Sequence, residues 1–143
     1  MKSFNNYDDN ILFVLSSAHW KMNRVLRQRF KKEKLQVSPD QWLIMLNLMD
    51  QGSMTQKQLA NSQFKDKSSI KRLLDHLKDK GLIQKKKSKK DLRKNLVFLS
   101  GKGHEVIIEM NEVAQKAFQT ACNDLKEVEL NALKRLINMI EET

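Results

Sequence analysis

Apolar residues at Ile11, Leu15, Ala18, Met22, Val25 and Leu26 return every three or four positions, the period of one face of an α-helix. The pattern predicts a long first helix from about Asp9 to Lys34. Phe13 and Trp20 lie seven apart on a second face, so this helix has two surfaces to cover, within its own chain or against a second subunit. A fuller start signal follows: Ser38 in the cap position, Pro39 at the first helical residue, Gln41 three residues after the cap, and Val37 placed to staple onto Trp42. The second helix therefore begins at Pro39, with Trp42, Met45, Leu46 and Met49 as its expected buried face and Gly52 as the left-handed residue that ends it. Met54, Thr55, Gln58 and Leu59 repeat the order of staple, cap, box and staple partner, which starts a short third helix at Gln56 that runs to about Gln63.

Asp66 can cap a fourth helix whose apolar residues, Ile70, Leu73, Leu74 and Leu77, form one narrow stripe. It stops at Gly81, and Leu82 behind that glycine is placed to touch Leu77, as in a Schellman ending. The exposed side carries Lys67, Ser68, Lys71, Arg72 and Asp75. Two short apolar runs, Leu82 to Gln84 and Leu96 to Leu99, flank KKKSKKDLRKN and read as a two-stranded ribbon with a basic tip. From Ser100 the helical period resumes through Val106, Ile107, Met110, Val113, Ala114, Ala117, Phe118 and Ala121. A last helix from about Glu127 shows Leu130, Leu133, Leu136, Ile137 and Ile140 on one face.

Composition narrows this outline. A chain of 143 residues that is 40% hydrophobic and 31% charged has the size and balance of one globular domain. With four Gly, one Pro and few β-branched runs it is expected to be mainly α. A single Cys excludes an intramolecular disulfide and favours a reducing, cytoplasmic setting. No segment reaches the roughly 18 apolar residues of a membrane span, and ILFVLSSA follows Asp8 and Asp9 and runs on into a helical pattern, unlike an export signal, so no membrane partner is expected. The net charge of +10 is unevenly placed: Lys65 to Lys94 hold thirteen Lys and Arg against four Asp, a net +9 that leaves +1 for the other 113 residues. A basic surface so concentrated attracts polyanions, nucleic acid first among them.

Three helices so spaced, followed by a basic hairpin, make a winged helix-turn-helix, and the chemistry it suits is groove reading. The fourth helix presents Ser68, Lys71 and Arg72 opposite its buried leucines, so it can stay anchored while they project. Arg can pair with a guanine edge through two hydrogen bonds, and Ser and Lys serve bases or phosphates. Lys67 and the first-turn amides suit a phosphate. Asp75, four residues after Lys71 and three after Arg72, is placed to orient them by ion pairing. In the hairpin, Lys85, Lys86, Lys87, Lys89, Lys90, Arg93 and Lys94 surround one acid, Asp91. Such a cluster gains most by meeting phosphates and releasing counterions, and its Arg could enter a narrow minor groove, braced by Asp91.

These residues resemble the MarR-type winged helix-turn-helix transcriptional regulators. The resemblance covers about Asp8 to Ile140 and rests on VSPDQWLIMLNL, MTQKQLA, KDKSSIKRLLDHLKDKGLI, DLRKNLVFLSGKG and the terminal helices, in that order and spacing. It implies a mainly α fold with a two-stranded β wing, as a single domain spanning 1–143: a DNA-binding lobe at 38–100 and long dimerisation helices at 8–34 and 101–142. It implies a homodimer on double-stranded DNA in which Lys67, Ser68, Ser69, Lys71 and Arg72 face the groove and Asp91 and Arg93 form the wing pair, with Lys89, Lys90 and Lys94 beside them. Two positions depart from the pattern: Phe64 stands where many members have a turn Gly, and Gly101 follows Ser100 where an acidic residue is common. Pairing also has a physical reason, since one short helix touches few base pairs and two copies about 34 Å apart reach successive major grooves.

No catalytic set is visible. His19, His76 and His104 lie in separate elements, and His104 with Glu105 and Glu109 is at most a partial zinc set at an exposed helix end, so no metal, cofactor or enzymatic activity is expected. The resemblance raises an oxidation sensor at Cys122, but members that sense peroxides place the reactive cysteine near the first helix, and Cys122, late in the fifth and with no partner Cys in its own chain, reads rather as a packed or inert thiol. The resemblance also implies a response to a small aromatic effector, for which His19, Trp20, Trp42 and Met45 could line a cavity; they could equally be filled core. A second basic cluster, Lys21, Arg24, Arg27, Arg29, Lys31, Lys32 and Lys34, opposed only by Glu33, either extends the phosphate-binding surface or is a solvated helix face. The expected function is that of a sequence-specific DNA-binding transcriptional regulator, a homodimeric repressor responsive to a ligand or stress signal. The rivals are a non-specific nucleic-acid binder and a protein-interaction adaptor on the same scaffold.

Overall fold

The computed structural model describes residues 6–141. The expected span 1–143 also takes in residues 1–5, 142 and 143, which lie outside the described residues. A 3-10 turn at Tyr7–Asp9 leads into α1 (Ile11–Lys32), followed by α2 (Pro39–Gln51), β1 (Ser53–Thr55), α3 (Gln56–Ser62), α4 (Lys67–Asp79), β2 (Ile83–Lys87), β3 (Asn95–Leu99), α5 (Gly101–Ala121) and α6 (Glu127–Met139). Among the described residues no helix is long and apolar enough to cross a membrane.

Local side-chain chemistry sets the helix ends. Asn10 starts α1 two residues later than expected, its side-chain oxygen accepting from the N–H groups of Leu12 (3.0 Å) and Phe13 (3.4 Å). Both expected capping boxes form: Ser38 Oγ accepts from Gln41 N–H and Gln41 Oε1 from Ser38 N–H, and Thr55 and Gln58 exchange the same pair of bonds. At the end of α4, Leu82 N–H donates to Leu77 O (3.0 Å) and Gly81 N–H to Lys78 O (2.9 Å), a Schellman motif with Gly81 at φ 72°. The same pair of bonds closes α1 and α3 without glycine. Lys34 (φ 58°) and Phe64 (φ 54°) take the left-handed position themselves, so the connector keeps its shape where the turn Gly is missing.

The buried face of α2 differs from expectation. Ile44, Met45 and Leu48 are fully buried with Gln41, whereas Trp42 and Leu46 are half-buried and Met49 is exposed. The helix is apolar nearly all round, so periodicity alone offers two faces. Gln41 fits the inner one because its amide donates to the Leu73 carbonyl of α4 (3.4 Å).

The sheet has three strands, not two. β3 lies in the centre, antiparallel to β1 (Met54 opposite Val97) and to β2 (Lys85 opposite Val97). The added strand is the extended approach to the Thr55 cap, too short to carry an alternation of its own. β2 also continues through Lys85, Lys86 and Lys87, which shortens the basic tip to residues 88–94; Lys86 Nζ lies 5.2 Å from the centre of the Phe98 ring.

One core joins these pieces. Leu26 and Phe30 of α1, Leu59 of α3, Ile70, Leu74 and Leu77 of α4, Val97 of β3 and Ile107 and Met110 of α5 meet the inner face of α2. α5 starts at Gly101, as expected, because Ser100 Oγ accepts from Gly103 N–H (3.0 Å) while donating to Gly81 O (2.6 Å). α6 stands apart, with none of its residues buried.

Candidate nucleic-acid interface

The core holds α4 by one side. Ile70, Leu74 and Leu77 are fully buried and contribute about 1.5–3 kcal/mol each to anchoring it. The other side is left to the polar residues: Lys67, Ser68, Lys71 and Arg72 are exposed, and Ser69 is half-buried. Lys71 Nζ is 3.0 Å from Asp75 Oδ2, so the acid orients Lys71 rather than Arg72. That partner holds the Asp75 carboxyl below the usual carboxylate range, helped by the more distant charges of Lys85 and Lys78. Among the described residues no acid lies within ion-pairing distance of Arg72.

The start of α4 is less open to an anion than the sequence implies. Asp66 Oδ1 accepts from Ser69 N–H (2.7 Å) and from Ser68 Oγ (3.0 Å). The Ser69 amide bond, followed by the hydroxyls of Ser69 and Ser68, keeps the Asp66 carboxyl below its ordinary pKa. A carboxylate of the chain itself thus occupies part of this helix terminus. Ser68 is left with an acceptor, and a phosphate would have to rely on Lys67 and the remaining amides.

In the wing, Asp91 Oδ1 accepts from Arg93 N–H (3.0 Å) and Nε (3.3 Å). The turn is closed by Ser88 N–H to Lys94 O and Lys94 N–H to Asp91 O. Lys89, Lys90, Arg93 and Lys94 are exposed on this tip, and Asp91 is half-buried beneath them. Lys65, counted with the basic stretch, is instead spent on Asp40 of α2 (3.2 Å). The contact joins the connector to α2, and nothing in the local pattern signals it.

The four residues considered for an effector cavity separate. His19 and Trp20 line an open cleft of about 950 Å³ with Leu15, Arg27, Leu43 and Phe64. Met45 lies in the core, and Trp42 packs between Phe30 and Phe118 with its Nε1–H on Asn111 Oδ1 (2.9 Å). The cleft residues that local sequence missed, Leu43 and Phe64, come from α2 and from the connector before α4. The half-buried Cys122 has its Sγ 3.6 Å from the Met22 sulfur.

Residues 37–94 match the model of the MarR family. Over 141 residues the chain is 23% identical to the HTH-type transcriptional regulator MgrA of Staphylococcus aureus, covering 98% of this chain and 93% of that protein. Among solved structures, a probable transcriptional regulator from Pseudomonas aeruginosa is 26% identical with a TM-score of 0.80, over 93% of this chain and 98% of that one. A MarR variant from E. coli complexed with operator DNA shares the fold at 20% identity and a TM-score of 0.80, over 96% and 97% of the two chains. By its fold, and by the match over residues 37–94, this chain is a winged-helix protein similar to the MarR family.

Proposed function

We propose that the chain is a homodimeric, sequence-specific regulator of transcription that lays α4 in the major groove and the 88–94 tip in the adjacent minor groove. The observation that carries this is the division of α4: one side sealed into the core by Ile70, Leu74 and Leu77, the other presenting Lys67, Ser68, Lys71 and an Arg72 with no ion pair among the described residues. The similarity to a MarR variant bound to operator DNA supports it. Lys71 and Arg72 reach bases, Ser68 and Ser69 bases or phosphate, and Lys67, Lys89, Lys90 and Lys94 phosphates; Arg93, braced by Asp91, enters the minor groove. In this reading 38–100 is the DNA-binding lobe, and 8–34 with 101–142 form the dimer. The protein works in the cytoplasm as a repressor without enzymatic activity, and the cleft beside His19 and Trp20 admits a small aromatic effector.

Titration of the preferred operator and a scrambled duplex tests the groove assignment. Arg72→Ala is expected to cost about 1–3 kcal/mol on the operator and to relax base preference, and Lys89→Ala to weaken both duplexes alike and flatten the salt dependence by about one unit of log slope. Equal weakening of both duplexes by Arg72→Ala rules out base reading by that residue.

A further inference from the structure

The second basic cluster is not absorbed by this reading. We propose that the cleft between the end of α1, the α1–α2 connection and the end of α4 binds a small oligophosphate anion. Arg27 and Lys31 are one helical turn apart on one face of α1, and the left-handed turn that follows α1 brings Lys34 beside them. All three line a cleft of about 600 Å³ whose lining also includes Lys80 from the end of α4. Glu33 is not among the lining residues, and among the described residues no acid lines the cleft. Among the described residues none of the four cations is in an ion pair.

The arrangement is held in place. Lys80 Nζ donates to the Gln36 carbonyl of the connection, and Lys102 Nζ to the Lys80 carbonyl (3.0 Å), which adds a fifth cation behind the fourth. Lys34 is fixed in its left-handed conformation by the bonds from Leu35 N–H to Phe30 O and from Lys34 N–H to Lys31 O. Buried Phe30 and Val37 are among the lining residues. Four cations with no ion pair among the described residues line one cleft and repel one another, and a multivalent anion relieves that repulsion. Arg27 offers a two-pronged donor and the lysines point charges, the pairing that phosphate groups favour. A duplex lying along Lys67 to Arg72 leaves this cleft beyond its edge, because Lys80 stands about 12 Å past Arg72 down α4; this separation rests on the proposed function.

Calorimetric titration of the full-length protein with sodium tripolyphosphate tests the site. Wild type should bind one equivalent per chain, Lys31→Gln with Lys80→Gln should lose about tenfold or more in affinity, and Lys89→Gln with Lys90→Gln should change it by no more than about twofold. Arg27→Gln with Lys31→Gln leaves the Lys80 to Gln36 bond intact and must show the same loss, which separates ligand contact from damage to the connection. Absence of binding, or an equal loss from the wing variant, overturns the proposal. A random duplex distinguishes the other source of phosphate: the cleft variants should bind it within about twofold of wild type, and a loss matching that of the wing variant assigns the cleft to the DNA backbone. Should no duplex bind wild type, the proposed function fails while tripolyphosphate still decides the cleft.

Discussion

At the scale of single residues, two glycines close together in sequence have opposite roles. A Cβ on Gly103 would stand 2.1 Å from the Leu82 carbonyl oxygen, a backbone atom fixed by its bond from Ser100 N–H, whereas a Cβ on Gly101 would meet nothing within 4 Å. Gly103→Ala should therefore destabilise by about 1–3 kcal/mol, and Gly101→Ala should stabilise by about 0.4–1 kcal/mol by restricting the unfolded chain. Paired thermal melts of the two variants check the contrast. Phe64 makes the complementary case: it holds φ 54° while 93% exposed, so it carries the strain of a left-handed backbone with little burial to offset it. That conformation costs a side-chain-bearing residue about 1–2 kcal/mol, against about 0.5–1 kcal/mol for the greater freedom glycine loses on folding. Phe64→Gly is expected to gain up to about 1 kcal/mol in denaturant unfolding, and a net loss would show that Phe64 makes a contact the fold depends on.

Element by element, the caps were the most legible part of the sequence, because a cap is a local bond between side chain and backbone two or three residues away. Ser38 with Gln41, Thr55 with Gln58, and Gly81 with Leu82 all form as their spacing implies. What depends on distant partners was harder to read: which side of α2 turns inward, the pairing of β1 with β3, and the extension of β2 through three lysines that Val97, Leu96 and Asn95 hold in register. The same division runs through the site. The pairs Lys71 with Asp75 and Asp91 with Arg93 are local, whereas the tie from Lys65 to Asp40 and the cleft walls supplied by Leu43 and Phe64 needed the fold. The cap of α4 adds a test by pH. The bonds from Ser69 and Ser68 favour the ionised form of Asp66 and hold its carboxyl below the ordinary carboxylate value, so its contribution is complete above that ordinary value and is lost as pH falls through the lower folded pKa. Asn accepts the same bonds without titrating. Asp66→Asn should lose less stability than wild type between about pH 5 and pH 2.5, read by thermal melts across that range; parallel curves would remove Asp66 from the acid response.

For the whole molecule, the core accounts for one end of the chain better than the other. The lobe from α2 to β3 and the middle of α5 are sealed, yet Leu12 and Val14 at the start of α1 and Leu130, Leu133, Ile137 and Ile140 along α6 remain open, Leu12 at 71% and Ile137 at 60%. An apolar helix face of this length persists in water only when something covers it, and a second copy, presenting the same helices about a two-fold axis, is the partner the proposed DNA geometry requires. If so, Leu133→Glu with Ile137→Glu leaves the lobe intact, because neither side chain enters the core, and abolishes pairing. Sedimentation should then give the mass of one chain instead of two, with an unchanged fold by circular dichroism and a thermal midpoint that no longer rises with protein concentration. Operator affinity should fall further than for any single contact variant, because one recognition helix alone retains only the contacts of a half-site. A double variant that still sediments as two chains would place the dimer contact elsewhere and leave the open face of α6 without its proposed partner.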